Sequence, residues 1–153
     1  MIPEKVKEYL KKYCFDSRIE ESNVSFHHVN DAVKFGLNPD QVAKSLLFYD
    51  KTIDNNTSKA IMVVMGGMVK VSSGEFKRTF GFKSSMVLPD DVFTLTGFKP
   101  GGVCPFGVDN ANVKIYLDVS LKKYDLVYAA CGSDFCQIKL TPSELESIVP
   151  NVM

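Results

Sequence analysis

This chain carries no net charge: its 18 basic and 18 acidic residues cancel. No global field therefore gathers a polyanion over the surface, and wholesale coating of nucleic acid is not the default reading. One local excess stands out, with Lys70, Lys77, Arg78 and Lys83 against Glu75 alone between Met68 and Met86. Long apolar runs are missing as well. The longest, Ala60 to Val69, is about half of the ~20 residues a membrane-spanning helix needs, and Gly66-Gly67 interrupts it. The start, Met1-Ile2-Pro3-Glu4-Lys5, has no apolar core of the signal-peptide kind, so a soluble, cytoplasmic protein without a membrane partner is expected. Histidine is confined to His27 and His28, which leaves no obvious side-chain general base. Only four cysteines occur (Cys14, Cys104, Cys131 and Cys136), scattered through a chain long enough to need no covalent staples. Reduced thiols are expected, and their spacing lacks the paired short knuckles of a zinc site, so no metal is expected.

What is present fits one ordinary globule. The 153 residues, 45% hydrophobic and 24% charged, suffice for a buried core. No linker, low-complexity tract or internal repeat divides them, so residues 1–153 are expected to form a single domain. Ile2, Val6, Tyr9, Leu10 and Tyr13 recur at helical spacing, and Val24 to His27 reads as extended. Asn30 to Phe35 suggests a short helix closed by Gly36. Asn38-Pro39-Asp40-Gln41 has the build of a helix start, with Lys44 near the junction to a strand over Leu46 to Tyr49. Asp54-Asn55-Asn56 supplies turn chemistry before a buried strand over Ala60 to Met65. Helices are expected over Ser73 to Phe80, ended by Gly81, and over Pro89 to Leu95, ended by Gly97. Strands are expected at Val113 to Leu117, Leu126 to Ala130 and Gln137 to Leu140. Thr141-Pro142-Ser143-Glu144 has capping-box spacing and opens a last helix. Mixed strands and helices without a strict βαβ rhythm predict an α+β domain, its mixed, mostly antiparallel sheet flanked by helices.

The stretch with most chemical content is Gly101-Gly102-Val103-Cys104-Pro105-Phe106-Gly107. Adjacent glycines let a backbone approach a ligand closely, while Pro105 stiffens the far side and holds Cys104 extended. Such a loop can aim peptide N–H groups at a carbonyl oxygen with no catalytic side chain of its own. Lys44, on a long side chain at an element junction, can reach into a cleft. Blander readings stand beside these: a solvated lysine, a turn rich in glycine for conformation alone, and one packed and one exposed histidine.

The chain resembles the YbaK family of aminoacyl-tRNA deacylases, relatives of the editing domain inserted in bacterial prolyl-tRNA synthetase. The likeness runs from about Val29 to Ile148. It covers Asp31-Ala32-Val33-Lys34-Phe35-Gly36-Leu37, Gln41-Val42-Ala43-Lys44-Ser45-Leu46 and Thr96 through Gly107. It continues in Tyr116-Leu117-Asp118, Ala129-Ala130-Cys131-Gly132-Ser133 and Leu140 through Leu145. The resemblance implies hydrolysis of the ester that joins a wrong amino acid to the 3′-terminal adenosine of a tRNA. It implies that Lys44 holds the terminal nucleotide and that Gly101, Gly102, Val103, Cys104 and Pro105 form the loop around the reacting carbonyl. Gly132 and Ser133 would close the pocket, with His28 as a further substrate contact. No cofactor is implied, and a ribose hydroxyl would help to activate the water. Preorganised donors around a tetrahedral oxyanion commonly supply the largest catalytic term, which agrees with a site made of backbone.

Two departures bear on specificity: Cys104 stands where relatives often carry another small residue or proline, and Gln137 lies near where some cysteinyl-tRNA deacylases carry aspartate. The expected substrate is tRNA charged with alanine, serine, threonine or cysteine, on tRNA-Pro or a related tRNA. A synthetase or an elongation factor is an expected supplementary partner, and the Lys70–Lys83 patch an expected contact for acceptor-stem phosphates. The competing reading is a non-catalytic module that binds a tRNA end, a nucleotide or a protein on the same fold. A thiol enzyme using Cys104 with His27 or His28 as base is a third.

Overall fold

The structure is a computed structural model that describes residues 2–21, 32, 36–51, 59–133 and 135–149. In chain order its regular elements are α1 (Glu4–Lys11), β1 (Ile19–Glu21), β2 (Val42–Tyr49), β3 (Ala60–Gly66), α2 (Ser73–Phe80), α3 (Pro89–Thr96), β4 (Val113–Leu117), β5 (Val127–Ala130), β6 (Cys136–Leu140) and α4 (Pro142–Ile148). The strands form one sheet in the order β1-β6-β5-β2-β3-β4. Pairing is antiparallel for β1 with β6, β6 with β5 and β2 with β3. It is parallel for β5 with β2 and for β3 with β4. The domain is thus α+β with a mixed, mostly antiparallel sheet, as the sequence predicts. No helix among the described residues is long and apolar enough to cross a membrane.

Side-chain parity divides the sheet into two unequal faces. On the larger face Ala43, Leu47, Met62, Val64, Ile115 and Ile138 meet α1 through Val6 and Leu10, α3 through Val92 and Leu95, and α4 through Leu145 and Ile148. The opposite face is covered over β2, β3 and β4 by α2, whose Phe76 packs on Phe48 with ring centroids 4.8 Å apart. β3 serves both faces and is buried along its whole length, which is why it reads as an unbroken apolar run.

Local cues act where expected at the helix ends. Ser72 caps α2 by accepting from the Glu75 amide, and Gly81 ends it at φ +87°. Thr141 and Glu144 complete a reciprocal capping box on α4.

The helix expected after Asn38 is corrected by the structure. Asn38 does cap, accepting from the Asp40 amide, but only one 3₁₀ turn follows, Pro39–Gln41, and β2 begins at Val42. Pairing with β3, from Ala43 opposite Gly66 to Tyr49 opposite Ala60, takes the chain before a helix can propagate. Gln41 does not reach back to its own turn; its Nε2 donates to the Leu126 carbonyl at 3.1 Å. Lys44 consequently lies within a strand, opposite Met65, and not at a helix end. The short edge strand β1 has no counterpart in the sequence reading. The expectations for Val24 to His27, most of Asn30 to Phe35, and Asp54 to Asn56 lie outside the described residues, as do His27 and His28.

Candidate active site

β2 and β5 run side by side only briefly, through Val42 opposite Tyr128 and Ala43 opposite Ala129. Further along, the same edge of β2 is occupied by another segment: the Val87 amide donates to the Leu47 carbonyl (3.0 Å) and the Tyr49 amide to the Ser85 carbonyl (2.9 Å). Lys44, Ser45 and Leu46 lie between these two stretches. Since main-chain groups alternate along a strand, Ser45 turns its N–H and C=O to the same edge as Leu47 and Tyr49.

A cleft of about 330 Å³ opens at this gap. One wall is Val42 to Leu46, a second is Pro100, Gly101 and Val103, and the third is Tyr128 to Ala130 with Cys136 and Gln137. Parity explains the third wall. Val127, Ala129 and Ile138 face the main core, so Tyr128 and Gln137 face away from it, on the side of the sheet that carries Lys44, while Ala130 closes the strand half-buried against the core.

Lys44 is the only charged side chain among the described lining residues. Its ammonium donates to the Val69 carbonyl, and partial burial lowers its pKa from the ordinary lysine value. A lysine held by one acceptor retains two further protons to offer a ligand.

The glycine loop begins in a single 3₁₀ turn, Pro100–Gly102, in which the Gly102 amide donates to the Lys99 carbonyl at 2.8 Å. Gly101 and Val103 stand on the cleft wall, whereas Gly102 is buried behind it. A Cβ on Gly102 would lie 2.6 Å from the Gly132 carbonyl carbon and oxygen and 2.7 Å from the Ser133 nitrogen. The two loops are therefore packed backbone against backbone. Gly132 sits at φ +88°, and the Ser133 hydroxyl accepts from the Phe135 amide (3.2 Å), which holds the second turn closed. Cys104 and Pro105 are fully buried beneath the first loop. Burial pushes the Cys104 thiol up to about 12, away from the thiolate that a nucleophile needs at neutral pH. Cys104 is thus a packing residue, and the thiol-nucleophile reading has no support here. Among the described residues no three His, Cys, Asp or Glu side chains gather as a metal site would require.

Of the residues singled out in the sequence, Lys44, Gly101 and Val103 thus share the cleft, and Gly102, Gly132 and Ser133 form the contact behind it. The sequence reading gave no role to Ser45, Leu46, Pro100, Tyr128 or Ala130. Strand alternation in Val127 to Ala130 marks Tyr128 as facing away from the core, but only the topology brings it to Lys44.

The sequence profile of the aminoacyl-tRNA editing domain matches residues 24–148. The chain belongs to that family. It is 36% identical over 141 residues to the uncharacterized protein YwhH of Bacillus subtilis (strain 168), covering 92% of this chain and 86% of that one. A crystal structure of a candidate trans-editing enzyme for prolyl tRNA synthetase matches with a TM-score of 0.82 and 27% identity, over 98% of this chain and 93% of that one. A scaffold protein used for computational grafting of linear epitopes shares the fold equally well, at 0.82 and 26% identity, over 98% and 94% of the two chains. As an aminoacyl-tRNA editing domain, the protein is in general terms an aminoacyl-tRNA deacylase that binds mischarged aminoacyl-tRNA.

Proposed function

We propose that residues 1–153 act as a single-domain, trans-editing deacylase. It would hydrolyse the ester of tRNA mischarged with a small amino acid such as alanine, serine, threonine or cysteine, on tRNA-Pro or a related tRNA. The observation that carries this is the pairing of one lysine with a close-packed glycine loop across a cleft whose other described lining residues are uncharged. Its volume lies within the ~300–1,000 Å³ typical of ligand sites.

In this reading Lys44 holds the terminal nucleotide, and the amides of Gly101 and Val103 are the donors for the ester carbonyl, because the Gly102 amide is committed to Lys99. Gly102, Gly132 and Ser133 keep those donors in place. Water adds to the carbonyl carbon, and the negative charge gathers on the oxygen facing the amides. Collapse then breaks the bond to the ribose oxygen, which leaves with the water's proton by way of the neighbouring hydroxyl. Removing one oxyanion donor of this kind typically costs ~10²–10³ in rate.

The basic stretch that follows Val69 supports acceptor-stem contact. Lys70 adjoins the residue whose carbonyl holds Lys44, and Lys77 and Arg78 are exposed on α2. Such contacts would position the tRNA without reading its sequence, and a synthetase or elongation factor would supplement the affinity.

The test is deacylation of alanyl-, seryl-, threonyl-, cysteinyl- and prolyl-tRNA by the wild type and Lys44→Ala. Selective hydrolysis that disappears in the variant is the expected outcome. Salt-sensitive tRNA binding without hydrolysis of any of them would assign the protein to the binding-module class instead.

A further inference from the structure

The first turn of α1 lies behind both glycine loops, and nothing in the proposed chemistry accounts for it. Four contacts converge there. The Lys5 ammonium donates to the Thr96 carbonyl at 2.5 Å, at the C-terminal end of α3 where the helix dipole favours a cation. The same ammonium sits 4.3 Å from the centre of the Phe98 ring, two residues before the turn that opens the glycine loop. At the other end of that loop, a Cβ on Gly107 (φ +77°) would lie 2.9 Å from the Lys5 carbonyl oxygen. On the second loop, a Cβ on Gly132 would lie 2.8 Å from Cγ of Pro3 and 3.0 Å from Cε1 of Phe98. One turn of helix thus touches the entry and the exit of the first loop and the hinge glycine of the second.

We propose that Lys5, seated by Pro3, is a positioning residue that fixes the two glycine loops against each other from behind. The inference rests on the reading that these loops hold the scissile ester. The side chain supplies two anchors at the entry of the first loop, a charge-assisted hydrogen bond and a ring contact, while its main chain blocks the exit from moving inward. Loss of the ammonium leaves the Thr96 carbonyl short of a partner and frees the Thr96–Phe98 corner to shift. Because that corner leads directly into Pro100–Val103, the shift reaches the cleft wall. Lys5 lines no part of the cleft, so its effect should fall on the chemical step and leave ground-state binding nearly untouched.

The experiment compares the wild type with Lys5→Met, Lys5→Arg, Pro3→Ala and Gly102→Ala, reading kcat and KM for deacylation and amide hydrogen exchange on the intact protein. Lys5→Met should lower kcat about tenfold, the cost of displacing a positioned group by a fraction of an ångström, with KM within about twofold. Exchange at the hydrogen-bonded Phe98, Gly102 and Phe135 amides should rise while the α2 amides stay as they were. Lys5→Arg, which keeps the cation, should recover part of the rate. Pro3→Ala should loosen Gly132 and Ser133 alone, and it serves as the readout should Lys5→Met fail to fold. Unchanged loop exchange in Lys5→Met, or raised exchange with an unchanged kcat, overturns the proposal. Wild-type deacylation by Gly102→Ala would instead remove the underlying reading of the loops, and the exchange measurement still decides whether Lys5 and Pro3 hold them.

Discussion

Replacing Gly102 by alanine adds one methyl group at the point where the two loops meet. Gly102 is not among the glycines with positive φ, so an alanine is compatible with its backbone, and the perturbation is the contact alone. The new carbon would start 2.6 Å from two atoms of Gly132 and 2.7 Å from the Ser133 nitrogen. Non-bonded carbons settle at about 3.5–4.0 Å, so the loops must part by roughly 1 Å. Neither partner is a side chain that can swing aside; both are backbone. Overpacking of this kind costs about 1–3 kcal/mol of stability. A displacement of about 1 Å at a positioned reacting group costs about 10²-fold in rate. Single-turnover deacylation should therefore fall about 100-fold in Gly102→Ala, at a urea midpoint only modestly lowered. Gly81→Ala is the control. That glycine also disfavours a side chain, at φ +87°, but it has open space around it and lies at the end of α2, so it should lose about 1–2 kcal/mol and keep its rate. A Gly102→Ala protein that deacylates at the wild-type rate refutes the reasoning. So does a loss of rate matched by Gly81→Ala, since the effect would then be instability and not loop geometry.

Three further outcomes concern charged groups and a helix cap. Burial lowers the Lys44 pKa, so its ammonium is lost as pH rises, and lost earlier than for an exposed lysine at 10.5; binding of a non-hydrolysable aminoacyl-adenosine amide should weaken on the alkaline side below that value, and Lys44→Met should abolish this limb of the titration. Charge reversal at Lys77 and Arg78 should raise KM for tRNA while leaving a short aminoacyl-nucleotide substrate unaffected, and should flatten the slope of log affinity against log salt by about 1 for each duplex phosphate that is no longer neutralised. In α4, Glu144 is pulled down to about 2, first by the Arg18 side chain and then by the Thr141 amide. A depressed carboxyl stabilises the fold above its unfolded value near 4.5 and ceases to as pH falls toward 2, so Arg18→Ala should narrow the difference between neutral and acid melts; Thr141→Ala should cost about 1 kcal/mol at neutral pH with deacylation intact.

The elements that the sequence discloses well are those whose signals are local. α2 runs from the residue after Ser72 to the one before Gly81, and α4 opens on its capping box, because cap, helix former and terminator are all neighbours in the chain. Asn38-Pro39-Asp40 shows the limit of such signals. A cap followed by proline begins a 3₁₀ turn as readily as an α-helix, and the choice here is made by β3, more than twenty residues downstream in the register Ala43 opposite Gly66. The candidate site divides in the same way. A paired glycine can be suspected of close approach from its own sequence, yet what Gly102 approaches is Gly132, and what backs Gly132 is Pro3. The first joins loops 30 residues apart and the second links residue 3 to residue 132, and both exist only once the sheet has formed. That gives the site a particular dependence on the fold. On the proposed reading its donors are backbone amides, which carry no side chain to mutate and no sequence signature beyond the glycines that let them pack. On that reading their aim is set by the helix and loops behind them, so substitutions well outside the cleft, at Pro3, Lys5 and Gly107, should reach the chemistry as surely as substitutions on its wall.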